Sequence, residues 1–357
     1  MSLSHIPSCD TARQKVLVSI LNWNGGDETL NCLNSLFQSD YEGFDALLID
    51  NASTDNSTDI AQRAFPQIEV LRNKNNLGFA GGQNQGINFA IEKGYEYIWI
   101  LNNDTDFDSD VLGKLIEMLD KDDSIGSLSP VLMDAENREE RRIQFCGCSI
   151  NWKFRIFEKY KTIDEAWTAQ AENPENFFLW GTALLVRVSV LKQIGGFDEK
   201  LFAYFEDMDL SLKIVKAGLL NCIAKETIVF HAGITDAKQR PPHYVYFNTR
   251  NRYFFWMKHL PWSQRFNFTR QYVAGALVLA ASWHETRDVQ RETATLLGIW
   301  DALIRRGGGW DRSRILPKWL PPVLLSHPYI FVNILQGNFY RLAQGVFKQF
   351  LTVIRKN

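Results

Sequence analysis

Four short apolar runs in the first third of the chain constrain its fold more than any other feature: residues 16–21, 46–49, 68–71 and 97–101. Each is followed within two residues by Asn or Asp. Largely apolar runs of this length are typical of strands buried on both faces, as in a parallel sheet covered by helices. The segments between them agree. Leu30, Leu33, Leu36 and Phe37 recur at helical spacing, with Asp27 placed to cap that helix. Residues 53–57 (Ser-Thr-Asp-Asn-Ser) form a turn and cap cluster ahead of a short helix. Residues 80–93 read as a Gly-rich loop followed by a helix. Strands alternating with helices predict an α/β fold, a mostly parallel sheet with helices on both faces.

In such sheets, ligands bind beyond the carboxyl ends of the strands. That rule selects Asn22, Trp23 and Asn24; Asp50 and Asn51; residues 73–76; and Asn102, Asn103 and Asp104. Nearly all are Asn or Asp, and this clustering is the first functional signal. Asp104 and Asp106 put hard oxygen donors on a short loop, which suits Mg²⁺ or Mn²⁺, ions that keep waters and bind phosphate oxygens. A plain strand-terminating turn uses the same residue types.

A second acidic group, Glu206, Asp207 and Asp209, precedes a helix-like run at 210–218. Carboxylates at a helix start favour the macrodipole, but three within four positions exceed that need. The neighbouring Phe202, Tyr204 and Phe205 exclude water, which raises a carboxyl's pKa towards useful basicity. Trp180, beside Gly181, is either an aromatic platform for a sugar or acceptor, or a core residue. His231 ends another apolar strand, where His usually packs or caps. It gains interest only if a carboxylate metal site needs a further ligand.

Composition bounds the rest. With 45% hydrophobic and 22% charged residues, the chain is a folded globular protein of one large or two smaller domains. Five cysteines at irregular spacing argue against a disulfide framework and for a reducing, cytoplasmic setting. Cys146 and Cys148 read as buried thiols rather than a metal pair. The longest apolar stretch, 272–283, falls well short of the roughly 20 residues a membrane span requires. No apolar h-region marks a secretory signal. From residue 258 onward there are 14 Lys and Arg against 5 Asp and Glu, although the whole chain carries a net charge of −2. A basic tail on an acidic body suits an anionic lipid surface or a phosphorylated acceptor, or is simply a solvated face. No nucleic-acid partner is expected. The charged middle, 135–176, reads as irregular loops, and Pro261, Pro317, Pro321 and Pro322 break an aromatic, helix-like C-terminal region.

Several ordered stretches carry a resemblance. They are 16–24; Ile-Asp-Asn-Ala-Ser-Thr-Asp-Asn-Ser at 49–57; Asn-Asn-Leu-Gly-Phe-Ala-Gly-Gly-Gln-Asn at 75–84; 101–105; Gly-Gly-Phe-Asp-Glu at 195–199; and 205–210. Over roughly residues 16–257 the chain resembles the inverting GT-A glycosyltransferases of family 2, in particular the branch of bacterial rhamnosyltransferases. Several motifs in order are far more specific than any one. The tail is similar too, at Arg250-Asn251-Arg252-Tyr253 and Gly298-Ile-Trp-Asp301. The resemblance implies a GT-A catalytic domain over 13–257, with a nucleotide-sugar half at 13–130 and an acceptor half at 131–257. A basic helical extension then fills 258–357.

The resemblance also implies roles. Asp50 would accept from the N3–H of a pyrimidine base. Asn22, Asn51 and Ser53 would line the nucleotide pocket, with Asn103 beside them. Gly78 and Asn84 would lie against ribose and diphosphate. Asp104 would hold Mg²⁺ or Mn²⁺ in the family's Asp-x-Asp position, with Asp106 as an alternative ligand and His231 completing the shell. This chain departs from that motif by carrying Asn102 in its first position. Asp207 would be the catalytic base, with Glu206 as runner-up, and Trp180 and Gly181 would meet the acceptor. The donor would be deoxythymidine diphosphate–rhamnose, or a uridine diphosphate hexose, and the acceptor a glycan or lipid-linked intermediate of cell-surface polysaccharide. Trp256, Trp262 and residues 347–356 could rest on the inner face of the plasma membrane, pack on the catalytic domain, or form a homodimer contact. Two competing readings are a sugar-nucleotide pyrophosphorylase, which lacks its basic loop after the first strand here, and a binding protein without turnover. A dinucleotide-dependent oxidoreductase fails because no G-x-G-x-x-G follows that strand.

Overall fold

The computed structural model describes residues 15–136, 138–233 and 240–316. The expectations for Pro317, Pro321, Pro322 and 347–356 lie outside the described residues. The four runs marked in the sequence are strands β1 (Val16–Asn22), β2 (Phe44–Asp50), β3 (Glu69–Arg72) and β4 (Tyr97–Asn102). They pair in parallel, in the order β3-β2-β1-β4. Asn22 lies opposite Asp50, Leu21 opposite Asn102, and Asp50 opposite Arg72. This register delivers the polar strand ends to one edge of the sheet.

Seven further strands follow: β5 (Thr105–Phe107), β6 (Ile125–Asp134), β7 (Ile143–Phe145), β8 (Cys148–Asn151), β9 (Ile156–Lys159), β10 (Ala183–Arg187) and β11 (Leu220–His231). The main sheet runs β3-β2-β1-β4-β10-β6-β11-β5, with β7 added to β6. β10 is antiparallel to both neighbours, so the sheet is mixed, while β6 and β11 return to parallel pairing. β8 and β9 form a separate hairpin. The expectation of irregular loops over 135–176 is therefore corrected. The strands there are only three or four residues long, so no buried run announces them.

The helices are α1 (Gly26–Phe37), α2 (Ser57–Ala64), α3 (Gly78–Lys93), α4 (Val111–Lys121), α5 (Ile163–Glu172), α6 (Val188–Ile194), α7 (Glu206–Lys216), α8 (Pro242–His259), α9 (Trp262–Glu285) and α10 (Val289–Leu303). Two local expectations change. Asp27 does not cap α1. The N-cap is Gly25, whose N–H is taken by the Asn22 side chain at 3.1 Å. The Gly-rich stretch is also helix rather than loop, because its glycines face β1. A Cβ at Gly82 would lie 2.4 Å from the Leu21 side chain, and one at Gly86 would lie 2.2 Å from Ser19 Oγ. Glycine costs a helix about 1 kcal/mol relative to alanine. Close packing on the strand offsets that cost.

The chain divides into two compact units. The first holds the residues up to Asn76, Gly81–Phe197 and Leu210–Gly233, and contains the whole main sheet. The second holds Leu77–Ala80, Asp198–Asp209 and the described residues after 239. The boundary expected after residue 257 falls inside α8. In the second unit, α8, α9 and α10 bury Tyr246, Phe247, Leu277 and Leu297 together. Arg250 is fully buried and donates to the carbonyls of Gly308 (2.6 Å), Leu201 (3.0 Å) and Lys200 (3.2 Å). Burial pulls its pKa down, but its donors are satisfied. Trp256 is also fully buried, which removes the membrane-surface alternative for it, whereas Trp262 is 81% exposed. No helix among the described residues is long and apolar enough to cross a membrane.

Candidate active site

Strand ends of the first unit build one polar cluster around Asn22, which is fully buried at the end of β1. Its amide nitrogen donates to Ser57 (2.8 Å), Thr58 (2.9 Å) and Ser53 (3.4 Å). Its oxygen accepts from Thr29 (3.0 Å), Gly25 N–H (3.1 Å) and Asn103 (3.4 Å). Asn22 thus organises the loops after β1, β2 and β4. Asn103 also donates to Thr29 at 2.9 Å. Asp50 accepts the Ser53 N–H at 2.9 Å and pairs with Arg72 at 3.3 Å. Asn51 donates its N–H to the Asn22 carbonyl at 2.8 Å, and its side chain bonds Asn76 and Asn73. Arg72 escaped the sequence reading although it directly follows the third apolar run.

Asn84 and Gly78, expected beside ribose and diphosphate, each have close partners within the protein. Asn84 is engaged on both sides by Phe197, donating to its carbonyl at 3.0 Å and accepting its N–H at 2.8 Å. Gly78, in the second unit, has φ +73°, and a Cβ there would lie 2.4 Å from the Phe202 carbonyl oxygen. Its need for glycine is met by the protein's own backbone, not by the close approach of a ligand that was expected.

Asp104 follows β4, and His231 ends β11. His231 Nε2 lies 3.3 Å from Asp104 Oδ1. Gln144 of β7 fixes the ring. Its amide nitrogen donates to the Gly233 carbonyl at 3.1 Å, so its oxygen faces His231 Nδ1 at 2.6 Å. An oxygen can only accept, so Nδ1 carries the proton, and a neutral ring turns its Nε2 lone pair outward. Asn102 Nδ2, at 3.4 Å from Nε2, fits that tautomer. A lone pair then faces a carboxylate oxygen that is shielded from solvent and has no well-formed hydrogen bond. That arrangement suits a cation shared between the two atoms. Burial acts to raise the Asp104 pKa, but His231 and hydrogen bonds from its own backbone and Asn102 outweigh it, leaving the carboxyl below its ordinary value.

This pair fits Mg²⁺ or Mn²⁺, which commonly use one or two protein side chains plus water and substrate phosphate. Among the described residues, no three His, Cys, Asp or Glu side chains cluster as a ready-made cage. Asp106 is not part of the pair. It lies opposite Phe230 in the β5–β11 ladder, one position from the Thr105–His231 pair, so it projects to the other face. There it meets Arg138, which also sits 4.4 Å above the Phe230 ring. Glu28, in the first turn of α1, is a carboxylate the sequence reading missed. Burial raises its pKa, and Asp104 adds to that while His231 opposes it.

The second unit carries the other acidic group, on a turn and the first turn of α7. The backbone before it is strained, with φ +64° at Phe202, +69° at Tyr204 and +74° at Phe205. Such values cost bulky residues roughly 1–3 kcal/mol each. Asn251 holds the turn in place, its amide donating to the carbonyls of Ala203 (2.7 Å), Leu201 (2.8 Å) and Tyr204 (2.9 Å). The three carboxylates that follow have different fates. Asp209 is 1% exposed and accepts from His259 at 2.7 Å and Lys258 at 2.9 Å. Burial acts to raise its pKa, but those two bonds prevail and lower it. Glu206 is buried, one of its oxygens has no hydrogen bond among the described residues, and burial together with Asp207 pushes its pKa well up. Asp207 is half-buried, with one oxygen accepting the Met208 N–H at 2.8 Å.

Trp180 is half-buried and stacks on Phe145, with ring centres 4.2 Å apart and planes within 8°. Lys159 Nζ lies 4.1 Å from the same ring. Gly181 beside it is buried. The second unit also holds a cavity of about 240 Å³ lined in part by Lys200, Lys258, Arg265, Arg305, Asp198 and Asp209. Cys32, Cys146, Cys148 and Cys222 are buried free thiols, and burial raises Cys146 to about 11 and Cys32 and Cys222 to about 12.

The covered, mostly parallel sheet with Asn and Asp at its strand ends matches the GT-A fold of known glycosyltransferases. Two solved structures share this fold. One is S. aureus TarS 1-349 in complex with UDP-GlcNAc, 14% identical, covering 94% of this chain and 92% of that one, with TM-score 0.53. The other is a mannosyltransferase from Pyrobaculum calidifontis in complex with GDP-Man and Mn²⁺, 14% identical, covering 83% and 89%, with TM-score 0.52. The family model for glycosyl transferase family 2 matches residues 17–195, and the chain belongs to that family. A relative from Mycobacterium tuberculosis, N-acetylglucosaminyl-diphospho-decaprenol L-rhamnosyltransferase, is 25% identical over 272 residues, which cover 70% of this chain and 88% of the relative.

Proposed function

We propose that this glycosyltransferase moves rhamnose from deoxythymidine diphosphate–rhamnose to a hydroxyl of a lipid-linked or glycan acceptor, with inversion at the anomeric carbon. The observation that carries the reading is the fate of the three carboxylates after the strained turn. Asp209 is committed to Lys258 and His259, and Glu206 is buried with a raised pKa. Asp207 is the half-exposed member of the three. We assign it as the base that takes the acceptor hydroxyl's proton as that oxygen attacks the anomeric carbon, while the nucleoside diphosphate leaves from the opposite face. One in-line displacement needs no second nucleophile.

Asp104 and His231 would hold Mg²⁺ or Mn²⁺, which supplies neutralising charge for the leaving diphosphate when bound. Asp50, with Asn51 and Ser53 beside it, would receive the base of the donor, and Asn22 and Asn103 would keep those loops in place. The M. tuberculosis relative, named for rhamnose transfer to a diphosphate-linked lipid, supports both donor and acceptor class. The cations of the cavity in the second unit suit an acceptor that carries phosphate. Trp262, with Arg265 beside it, suits a peripheral contact with an anionic membrane face.

The test is release of nucleoside diphosphate from a panel of nucleotide sugars, with Mn²⁺, with Mg²⁺ and with EDTA. Metal-dependent release from the deoxythymidine donor alone supports the reading. Release from a uridine diphosphate hexose instead would replace the donor, and EDTA-insensitive turnover would overturn the metal assignment.

A further inference from the structure

Gln144 belongs to a segment with no sequence-level signal, yet its contacts decide what His231 presents. Its amide is oriented by the backbone, because Nε2 donates to the Gly233 carbonyl at 3.1 Å. Its oxygen is thereby directed at His231 Nδ1, 2.6 Å away. The reversed amide would place an N–H against Nδ1 and an oxygen against the Gly233 carbonyl, losing both bonds of the observed arrangement. β7 pairs with β6 through Met133↔Ile143 and Leu132↔Phe145, and β6 pairs with β11 through Met133↔Phe230 and Asp134↔His231. Gln144 thus stands on a strand fixed to the same ladder as His231. Gln144 is the residue that the β-bulge between the Leu132↔Phe145 and Met133↔Ile143 pairs leaves without a ladder partner, on a strand fixed to that sheet.

We infer that Gln144 is a positioning residue that locks His231 in the Nδ1–H tautomer, so that the Nε2 lone pair and Asp104 Oδ1 converge on one cation. This rests on the proposed metal role of Asp104 and His231 and extends it to a residue that touches neither metal nor substrate. Ring partners of this kind fix the tautomer and orientation of a ligating histidine, and their loss typically weakens metal binding by about 10–100-fold. An acceptor is required at this position. An apolar side chain of similar size would leave Nδ1 unpaired and free the ring to turn Nε2–H towards Asp104, closing the cation's place with a hydrogen bond.

Two measurements on the purified full-length chain test this. The first needs no metal. Nitrogen chemical shifts of ¹⁵N-labelled histidine report the tautomer, and the chain has only six His to resolve. In alkaline buffer, His231 of the parent should show Nδ1 protonated, and Gln144→Leu should move the ring towards the Nε2–H form. The second is Mn²⁺ titration followed by electron paramagnetic resonance. Gln144→Leu should bind Mn²⁺ about 10–100-fold more weakly, and Gln144→Glu, which keeps an acceptor on Nδ1, should recover most of the affinity. An unchanged tautomer in Gln144→Leu overturns the inference, as does equal weakening in the Leu and Glu variants, which would mark a packing role. A parent that binds no Mn²⁺ but shows the expected tautomer change would sink the metal reading and leave the positioning of His231 standing.

Discussion

Asp104 and Asp209 are both shielded aspartates held below their ordinary pKa, yet they are held by different means. Asp209 receives Lys258 and the ring nitrogen of His259 from its own unit, and its charge is balanced from within. Asp104 is lowered chiefly by His231, whose other ring nitrogen is taken up by Gln144. One arrangement is an internal brace, and the other is the pair we propose as a metal site. Net negative charge in a sequence does not distinguish them. The positions of protons and donors around each carboxylate do.

The comparison can be broken by substitution, and the largest expected effect concerns the carboxylate that neither arrangement consumes. Asp207→Asn should lower turnover by about 10²–10⁴, the usual size of a general-base contribution. Near-parent activity there, with the loss appearing in Glu206→Gln, would transfer the role to Glu206. Next comes the brace. Asp209→Asn should cost about 1–3 kcal/mol in chemical denaturation at neutral pH, because it alters a buried acceptor of two hydrogen bonds while Lys258 keeps its 2.9 Å pairing with Asp198. Its pH behaviour carries a sign. A carboxyl whose folded pKa is depressed contributes stability above its unfolded pKa and loses it as the pH falls through the folded value. The parent's acid-side decline in stability should therefore flatten in Asp209→Asn, and an unchanged acid limb would refute the brace.

The proposed metal site is sharpened by adding its cation. Mn²⁺ at about a hundred times its dissociation constant should stabilise the fold by about 2.7 kcal/mol in thermal melts. Asp104→Asn should abolish that gain while Asp209→Asn keeps it; equal loss in both would erase the distinction. The smallest effect belongs to Glu206. Its folded pKa is raised, so its ionised form costs stability at neutral pH and that cost disappears in acid. Glu206→Gln should raise the neutral-pH melting free energy by about 1 kcal/mol, with the two proteins converging as the pH falls.

The sheet and its ligand edge were legible in the sequence because period and position carry them. Four apolar runs gave β1 to β4, although β3, at the sheet edge, is only partly buried, and the residues after them gave Asn22, Asp50, Asn51, Asn103 and Asp104 as candidates. β7 to β9 were not legible, since strands of three or four mixed residues have no period to detect. Gln144 was lost with them. Lys258 and His259 approach Asp209 across about fifty residues of chain, and no local pattern reports such a pairing. Asp106 looked like a ligand because a loop reading ignores side; as a strand residue it points away from His231. The glycines of α3 misled for the opposite reason, since a loop signal is also what a helix pressed against a strand requires.

Arg250 has a consequence for how the protein is made. It clamps the carbonyls of Lys200 and Leu201 to that of Gly308, more than a hundred residues downstream. A ribosome delivers the acidic turn early and the last of these partners late. Domains fold as whole units during synthesis, so the turn that bears Asp207 stays unsecured until translation passes residue 308. A prematurely terminated chain would therefore own the main sheet while the turn that bears Asp207 is still unsecured.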